Sequence, residues 1–188
     1  KVDGLYQDWS YIQHEDVPYT GTYGNVLLGG IGELVNVLSD TPFEITDPNL
    51  ENIYKIILNS FQPLMYKGHC MECVNGRGSS RQEWGNNRTG HSIISSILWF
   101  TKFAPKEYAD KYKSMVKYWI MEDEIRDFIK TNNNINLIEV ASDILEDDSI
   151  AKRGKLIGSY SFNSMDRLVH RMPTYSAAVA MNSKRIRT

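Results

Sequence analysis

A histidine and a tyrosine, His14 and Tyr23, stand nine positions apart near the start of the chain. The stretch around them reads Tyr11-Ile12-Gln13-His14-Glu15-Asp16-Val17-Pro18-Tyr19-Thr20-Gly21-Thr22-Tyr23-Gly24. Imidazole is the side chain most easily poised near neutral pH, and a phenol flanked by small residues can present its hydroxyl to a cleft. The pair therefore suits proton transfer. Singly, His14 reads as a structural histidine and Tyr23 as a packed aromatic; their joint placement in one Gly-punctuated segment is what points to chemistry.

Other residues offer contacts rather than reactions. Arg77 and Arg81 are four apart in Asn75-Gly76-Arg77-Gly78-Ser79-Ser80-Arg81. Two guanidinium groups converging there would suit a carboxylate or sulfate, and the plain alternative is a solvated loop. Trp9 and Trp84 fall in loop-like sequence, where either could stack on a sugar ring. Cys70-Met71-Glu72-Cys73 has a CxxC spacing, but neither a second Cys pair nor a nearby His pair completes a zinc set, so both cysteines read as structural.

These residues must be held by something rigid. The segment 1–23 holds too much Gly, Pro, Thr and Asp for a regular helix and reads as an irregular entry. From Asn25 to Leu38 the residues Val26, Leu27, Ile31, Leu34, Val35 and Leu38 recur at helical spacing. A second helix begins near Asp47-Pro48 and carries Leu50, Ile53, Tyr54, Ile57, Leu58 and Phe61. A long polar, Gly-rich connection spans Gly68 to Gly90, and connections of that length are usually functional or disordered. Helical periodicity resumes from His91 to about Phe103. Pro105 opens another helix bearing Tyr108, Tyr112, Met115, Val116 and Trp119, and two shorter ones are expected near Glu122–Lys130 and Ile135–Asp147. After Gly154 the pattern turns to strands at 158–162, 166–171 and 175–181, with a turn at Pro173-Thr174. So short a strand set would be marginal alone.

Composition excludes several classes. The chain is 41% hydrophobic and 23% charged, ordinary for a globular protein. A net charge of −2 without a long basic run argues against a nucleic-acid partner. No apolar stretch approaches the ~20 residues needed to cross a membrane. The chain opens at Lys1 with no leader, and it reads as an excised piece of a longer protein.

The run from Tyr11 through Gly24 resembles the active-site segment of polysaccharide lyase family eight, the hyaluronate, chondroitin AC and xanthan lyases. Met71 through Arg81, Gly90-His91 and Asn163 through Arg171 agree in register. The resemblance implies a mainly α fold: residues 1–150 as the C-terminal part of an α/α toroid of paired helices, then 151–188 as linker and first strands of an antiparallel β-sandwich, truncated. It implies catalytic roles for His14 and Tyr23, with Arg77 and Arg81 near the reacting centre. Trp9, Asn75 and Trp84 are expected to contact substrate. Trp9 stands where Gly is common, Asn75 where Arg is frequent, and Met172-Pro173-Thr174-Tyr175 replaces a common Arg-Pro-Gly-Trp. These departures leave the reaction intact and the substrate preference open. The family also draws on an Asn, an aromatic patch and sandwich residues that lie in the remainder of a parent chain.

The implied reaction is β-elimination on a uronic acid: a base removes the C5 proton and an acid protonates the departing C4 oxygen. With reference pKa values of about 6.5 and 10, neutral His14 can be the base and Tyr23 the acid. Arginines nearby could instead let Tyr23 serve as both. No metal or cofactor is needed. The expected protein is a secreted bacterial lyase whose partner is an anionic polysaccharide, hyaluronate or chondroitin first and xanthan next. A glycoside hydrolase would need two carboxylates flanking the bond, which adjacent Glu15 and Asp16 do not readily supply. A non-catalytic carbohydrate-binding fragment is the reading from another class.

Overall fold

The computed structural model describes residues 2–81, 85–153 and 156–186. The entry segment is more ordered than its composition suggests. It forms a small antiparallel sheet of β1 (Gly4–Leu5), β2 (Tyr11–Gln13) and β3 (Val17–Pro18), in that order. A π-helical turn, Thr20–Gly24, then runs without a break into α1 (Asn25–Leu38). Tyr11, Ile12 and Val17 favour the short strands β2 and β3, and the Thr/Gly run permits the wide turn.

Helices dominate the middle. α2 (Leu50–Ile56) continues through a second π-helical turn, Ile57–Phe61, into α3 (Gln62–Leu64). The connection expected from Gly68 to Gly90 starts inside a hairpin of β4 (Met65–Tyr66) and β5 (His69–Cys70) and goes on through two 3₁₀ turns, Glu72–Val74 and Gly76–Ser80. α4 spans Asn86–Phe103, starting five residues earlier than periodicity from His91 implied. Its first turn is polar because it borders the site rather than the core. α5 (Lys106–Glu122) follows Pro105 as expected. The next helix is shorter than expected, α6 (Phe128–Thr131). Asp123 accepts from the backbone N–H groups of Ile125 and Arg126, and Asp127 from that of Lys130. Donors that would extend a helix N-terminally are thereby diverted. α7 (Ile135–Glu146) is capped by Asn134, whose side chain accepts from the N–H groups of Asn136 and Leu137.

α4 is the centre of the core. It packs against α1, α5, α7 and the β4–β5 hairpin, and its Ile94, Ile97 and Phe100 are fully buried. Truncating one such residue to Ala costs about 2–5 kcal/mol. The apolar stripe on α1 is broader than the face it buries. Leu28 and Val35 point inward, whereas Val26, Leu27, Leu34 and Val37 are exposed.

The C-terminal strands form a second three-stranded antiparallel sheet, β6 (Gly158–Phe162), β7 (Arg167–Arg171) and β8 (Ser176–Ala180), joined across β7. This sheet is anchored to the helical part by two buried arginines. Arg171 donates to the carbonyls of Pro63 and Met65 and lies over the Tyr66 ring, 5.1 Å from its centroid. Arg167 donates to the Cys73 carbonyl at 2.9 Å. Asp8 adds a third tie by accepting from the Ser164 N–H at 2.6 Å. Among the described residues no helix is long and apolar enough to cross a membrane.

Candidate active site

His14 and Tyr23 are brought together. Their ring centroids lie 4.9 Å apart at an interplanar angle of 85°, an edge-to-face contact, and both side chains are exposed. Only Tyr23 departs from the loop that composition suggested, since it lies in a helical turn. His14 occupies the turn between β2 and β3, with φ +55°, and Glu15 beside it has φ +72°. Two consecutive left-handed residues without glycine cost roughly 1–2 kcal/mol each. Asp3 offsets this from β1's side, accepting from the Glu15 N–H and from Gln13 Nε2, both at 2.7 Å. Tyr23 projects from the π-helical turn, where the Gly24 N–H bonds the Tyr19 carbonyl at 2.9 Å.

Tyr19 completes the cluster and was not singled out from the sequence. Its buried ring meets His14 at 5.7 Å and Tyr23 at 4.9 Å, edge-on to both. Its hydroxyl accepts from the Arg77 N–H at 3.1 Å, so it ties the His/Tyr pair to the arginine segment. The four-residue spacing of Tyr19 and Tyr23 is the signal that could have revealed it.

Arg77 lies in the second 3₁₀ turn and Arg81 at its end, both exposed. The backbone of Arg77 is therefore fixed beside the cluster, while its side chain extends into solvent. Asn75 is only 3% exposed. Its Oδ1 accepts from the Cys70 thiol and its Nδ2 donates to Asn86 Oδ1, each at 3.4 Å, and the Thr22 hydroxyl donates to its carbonyl at 3.5 Å. Asn75 thus braces the floor beneath the π-helical turn. The fit is close: a Cβ on Gly21 would fall 2.0 Å from Asn75 Oδ1. Trp9 is half-buried against the core, with its carbonyl held by the Ser60 hydroxyl at 2.7 Å. Trp84 lies outside the described residues.

Cys70 is buried, and burial pushes its thiol pKa far up; Cys73 is shifted the same way for the same reason. Both remain thiols at neutral pH, too weakly ionised to be nucleophiles or ready metal ligands.

A second polar cluster lies along α4. Asp123, whose side chain is fully buried, accepts from His91 Nε2 at 2.7 Å and from Asn87 Nδ2, with His69 Nε2 at 3.4 Å. Burial lowers the His91 pKa below its ordinary value, outweighing the opposing pull of Asp123. His91 is accordingly neutral, its proton is on Nε2, and its buried Nδ1 is an acceptor with no hydrogen-bond partner.

Residues 1–118 match the family model of the N-terminal alpha-helical domain of polysaccharide lyase family 8. The chain belongs to polysaccharide lyase family 8. It is 36% identical over 189 residues to hyaluronate lyase HylB of Enterococcus faecalis, an alignment covering 98% of this chain and 18% of that protein. It is 34% identical over 184 residues to xanthan lyase of Bacillus sp. strain GL1, covering 98% and 20%. Among solved structures, Paenibacillus xanthan lyase superposes with a TM-score of 0.95 at 36% identity, over 99% of this chain and 18% of that one. Chondroitin AC lyase of Streptomyces coelicolor A3, in complex with chondroitin sulphate, gives 0.92 at 30% identity, over 99% and 26%. The chain thus spans about a fifth of the length of the curated relatives it matches.

Proposed function

We propose that this chain is the proton-transfer part of a polysaccharide lyase that cleaves uronic-acid-containing polysaccharide by β-elimination, leaving an unsaturated uronate. The observation that carries the reading is the His14–Tyr23 contact, made from two different elements in a chain of this family.

In this reading the sugar lies across the exposed face formed by His14, Tyr23 and Arg77. Removing the C5 proton generates negative charge on the neighbouring carboxyl group, and the exposed guanidinium groups of Arg77 and Arg81 stabilise it. The base takes the C5 proton, the electron pair forms the C4–C5 double bond, and the C4–oxygen bond breaks as the acid returns a proton to the leaving oxygen. His14 as base with Tyr23 as acid satisfies this balance, and so does Tyr23 in both steps. Asp3, Tyr19 and Asn75 position the pair without touching the reacting atoms.

In the same reading, residues 1–150 form the end of an α/α toroid and 151–188 the first strands of a β-sandwich of a secreted bacterial enzyme. The exposed apolar residues Val26, Leu27, Leu34 and Val37 of α1 support this, because such a face ordinarily packs against further helices. Hyaluronate and chondroitin are the leading substrates. Xanthan is the second reading, favoured by the 0.95 TM-score to a xanthan lyase.

The test is to incubate the full-length protein with hyaluronate, chondroitin and xanthan and follow ultraviolet absorbance of the conjugated double bond. Absorbance growth identifies elimination and ranks the substrates. New reducing ends without absorbance would mean hydrolysis, and binding without either would mean a carbohydrate-binding role; both overturn the reading.

A further inference from the structure

Where the C-terminal sheet docks on the helices, a narrow cavity of about 10 Å³ lies between α3, α5, β7 and the segment leading to β6. Gln62, Met115, Tyr118, Trp119 and Arg171 line it and are buried, and Arg153 and Leu156, both half-buried, complete the wall. A space of that volume holds one particle of about the size of a water.

Two guanidinium groups therefore share one small space. Arg171 is 3% exposed and uses its Nη1 on the carbonyls of Pro63 and Met65. Its buried Nε has no hydrogen-bond partner. Among the described residues, the Arg153 guanidinium and the Gln62 amide make no hydrogen bond either. The ionisable side chains that act on Arg171 are Tyr118, Tyr66 and Tyr160, and the one that acts on Arg153 is Tyr160. These are phenols, so among the described residues no carboxylate compensates either cation. Burial pushes both guanidinium groups down from their ordinary pKa, yet arginine stays charged through the neutral range. Two carbonyl dipoles and the Tyr66 ring support Arg171 without supplying a full negative charge, and a buried cation without one is costly.

We propose that this cavity binds a single chloride ion between the guanidinium groups of Arg171 and Arg153, with the Gln62 amide as a further donor. N–H donors from three side chains select an anion, and the volume selects a monatomic one, because sulfate or a carboxylate is too large for it. The ion joins α3 through Gln62, the segment before β6 through Arg153 and β7 through Arg171. It acts on how the sheet docks against the helices, not on proton transfer, and so does not depend on the lyase reading.

The experiment compares thermal melting of the full-length protein in sodium chloride, sodium bromide and sodium gluconate at equal ionic strength. Either halide should add a one-site, saturable rise in melting temperature that gluconate, too large to enter, does not give. Arg153→Gln should raise the chloride concentration at half-saturation by about 10-fold or more, as expected for loss of a charge-assisted contact. Arg153 is the residue to change, because Arg171 also anchors the sheet through Pro63 and Met65. Crystals of the unaltered protein grown in bromide should show an anomalous peak between Arg153 and Arg171, a measurement that stands even if the variant folds poorly. The absence of a saturable halide response, or of that peak, would overturn the site and assign the cavity to a water or to a group from elsewhere in the full-length protein. A halide response that Arg153→Gln leaves unchanged would place the ion elsewhere and overturn it as well.

Discussion

Gly76 and Tyr19 are in mutual contact so tight that no side chain fits between them: a Cβ on Gly76 would lie 1.9 Å from the Tyr19 ring. Gly76 also has φ +51°, a conformation L-residues adopt only at a cost. Gly76→Ala should therefore destabilise the protein by about 2–4 kcal/mol, the sum of strain and overpacking. It should also displace Tyr19 and with it the His14–Tyr23 contact. Gly78→Ala is the control, since a Cβ there finds its nearest atom at an ordinary 3.4 Å. Urea unfolding of the two variants checks this, and equal midpoints would refute it.

Tyr23→Phe should abolish elimination and leave substrate affinity nearly unchanged, because the ring that packs on His14 and Tyr19 is kept and only the hydroxyl goes. His14→Ala should lower the rate by about 10²–10⁴ if imidazole is the base. Initial rates check this, and a small effect of His14→Ala assigns the base to Tyr23.

Arg77→Ala and Arg81→Ala should fold normally, since both side chains are exposed, and should lose turnover. Lysine at either position should restore only part, because it lacks the planar fork. Melting temperature and initial rate, measured together, separate the two effects. Full rates in both alanine variants would show that this turn plays no part in the reaction.

His91 makes stability pH-dependent. Its pKa is lower folded than unfolded because burial disfavours the imidazolium. The unfolded chain thus binds the extra proton first. Stability is fully present above the unfolded value of about 6.5 and is lost as pH falls from there toward the folded value, by at most ~1.4 kcal/mol per pH unit. Asp123, held below the usual carboxylate range by N–H donors of Ile125 and Arg126 against the opposing effect of burial, adds its own loss only further into acid. Denaturant midpoints between about pH 7.5 and 5.5 should fall, and His91→Gln should flatten that slope.

Periodicity made α1 legible to its end residues, Asn25 and Leu38, and made α7 and the three C-terminal strands nearly so. What it missed was set by tertiary contact. The first turn of α4, Asn86 to Gly90, has loop-like composition, and it is helical while Asn86 and Asn87 bond to Asn75 and Asp123 across the fold. Arg167 and Arg171 look like ordinary polar positions of a half-buried strand, yet both are buried because carbonyls of the helical part receive them. At the site, residue types named His14 and Tyr23, but only the packed structure could place Tyr19 against both. Asn75 shows the converse: a polar residue in an arginine-rich stretch whose side chain turns inward.

The turn from Thr20 to Gly24 is wound one residue wider than the helix it feeds. A π-helical turn is in effect an inserted residue that the helix has absorbed instead of expelling as a loop. Each position along an α-helix rotates the direction of a side chain by roughly 100°. The aim of Tyr23 toward His14 is therefore encoded in the number of residues between Tyr19 and Asn25 as much as in their identity. Half-buried Thr22 can be exchanged for another residue of similar size with little consequence. Removing it altogether would let the turn relax to ordinary helical pitch and swing the phenol away from the imidazole with every chemical group still present. At Thr22 the segment tolerates a change of residue but not a change in count.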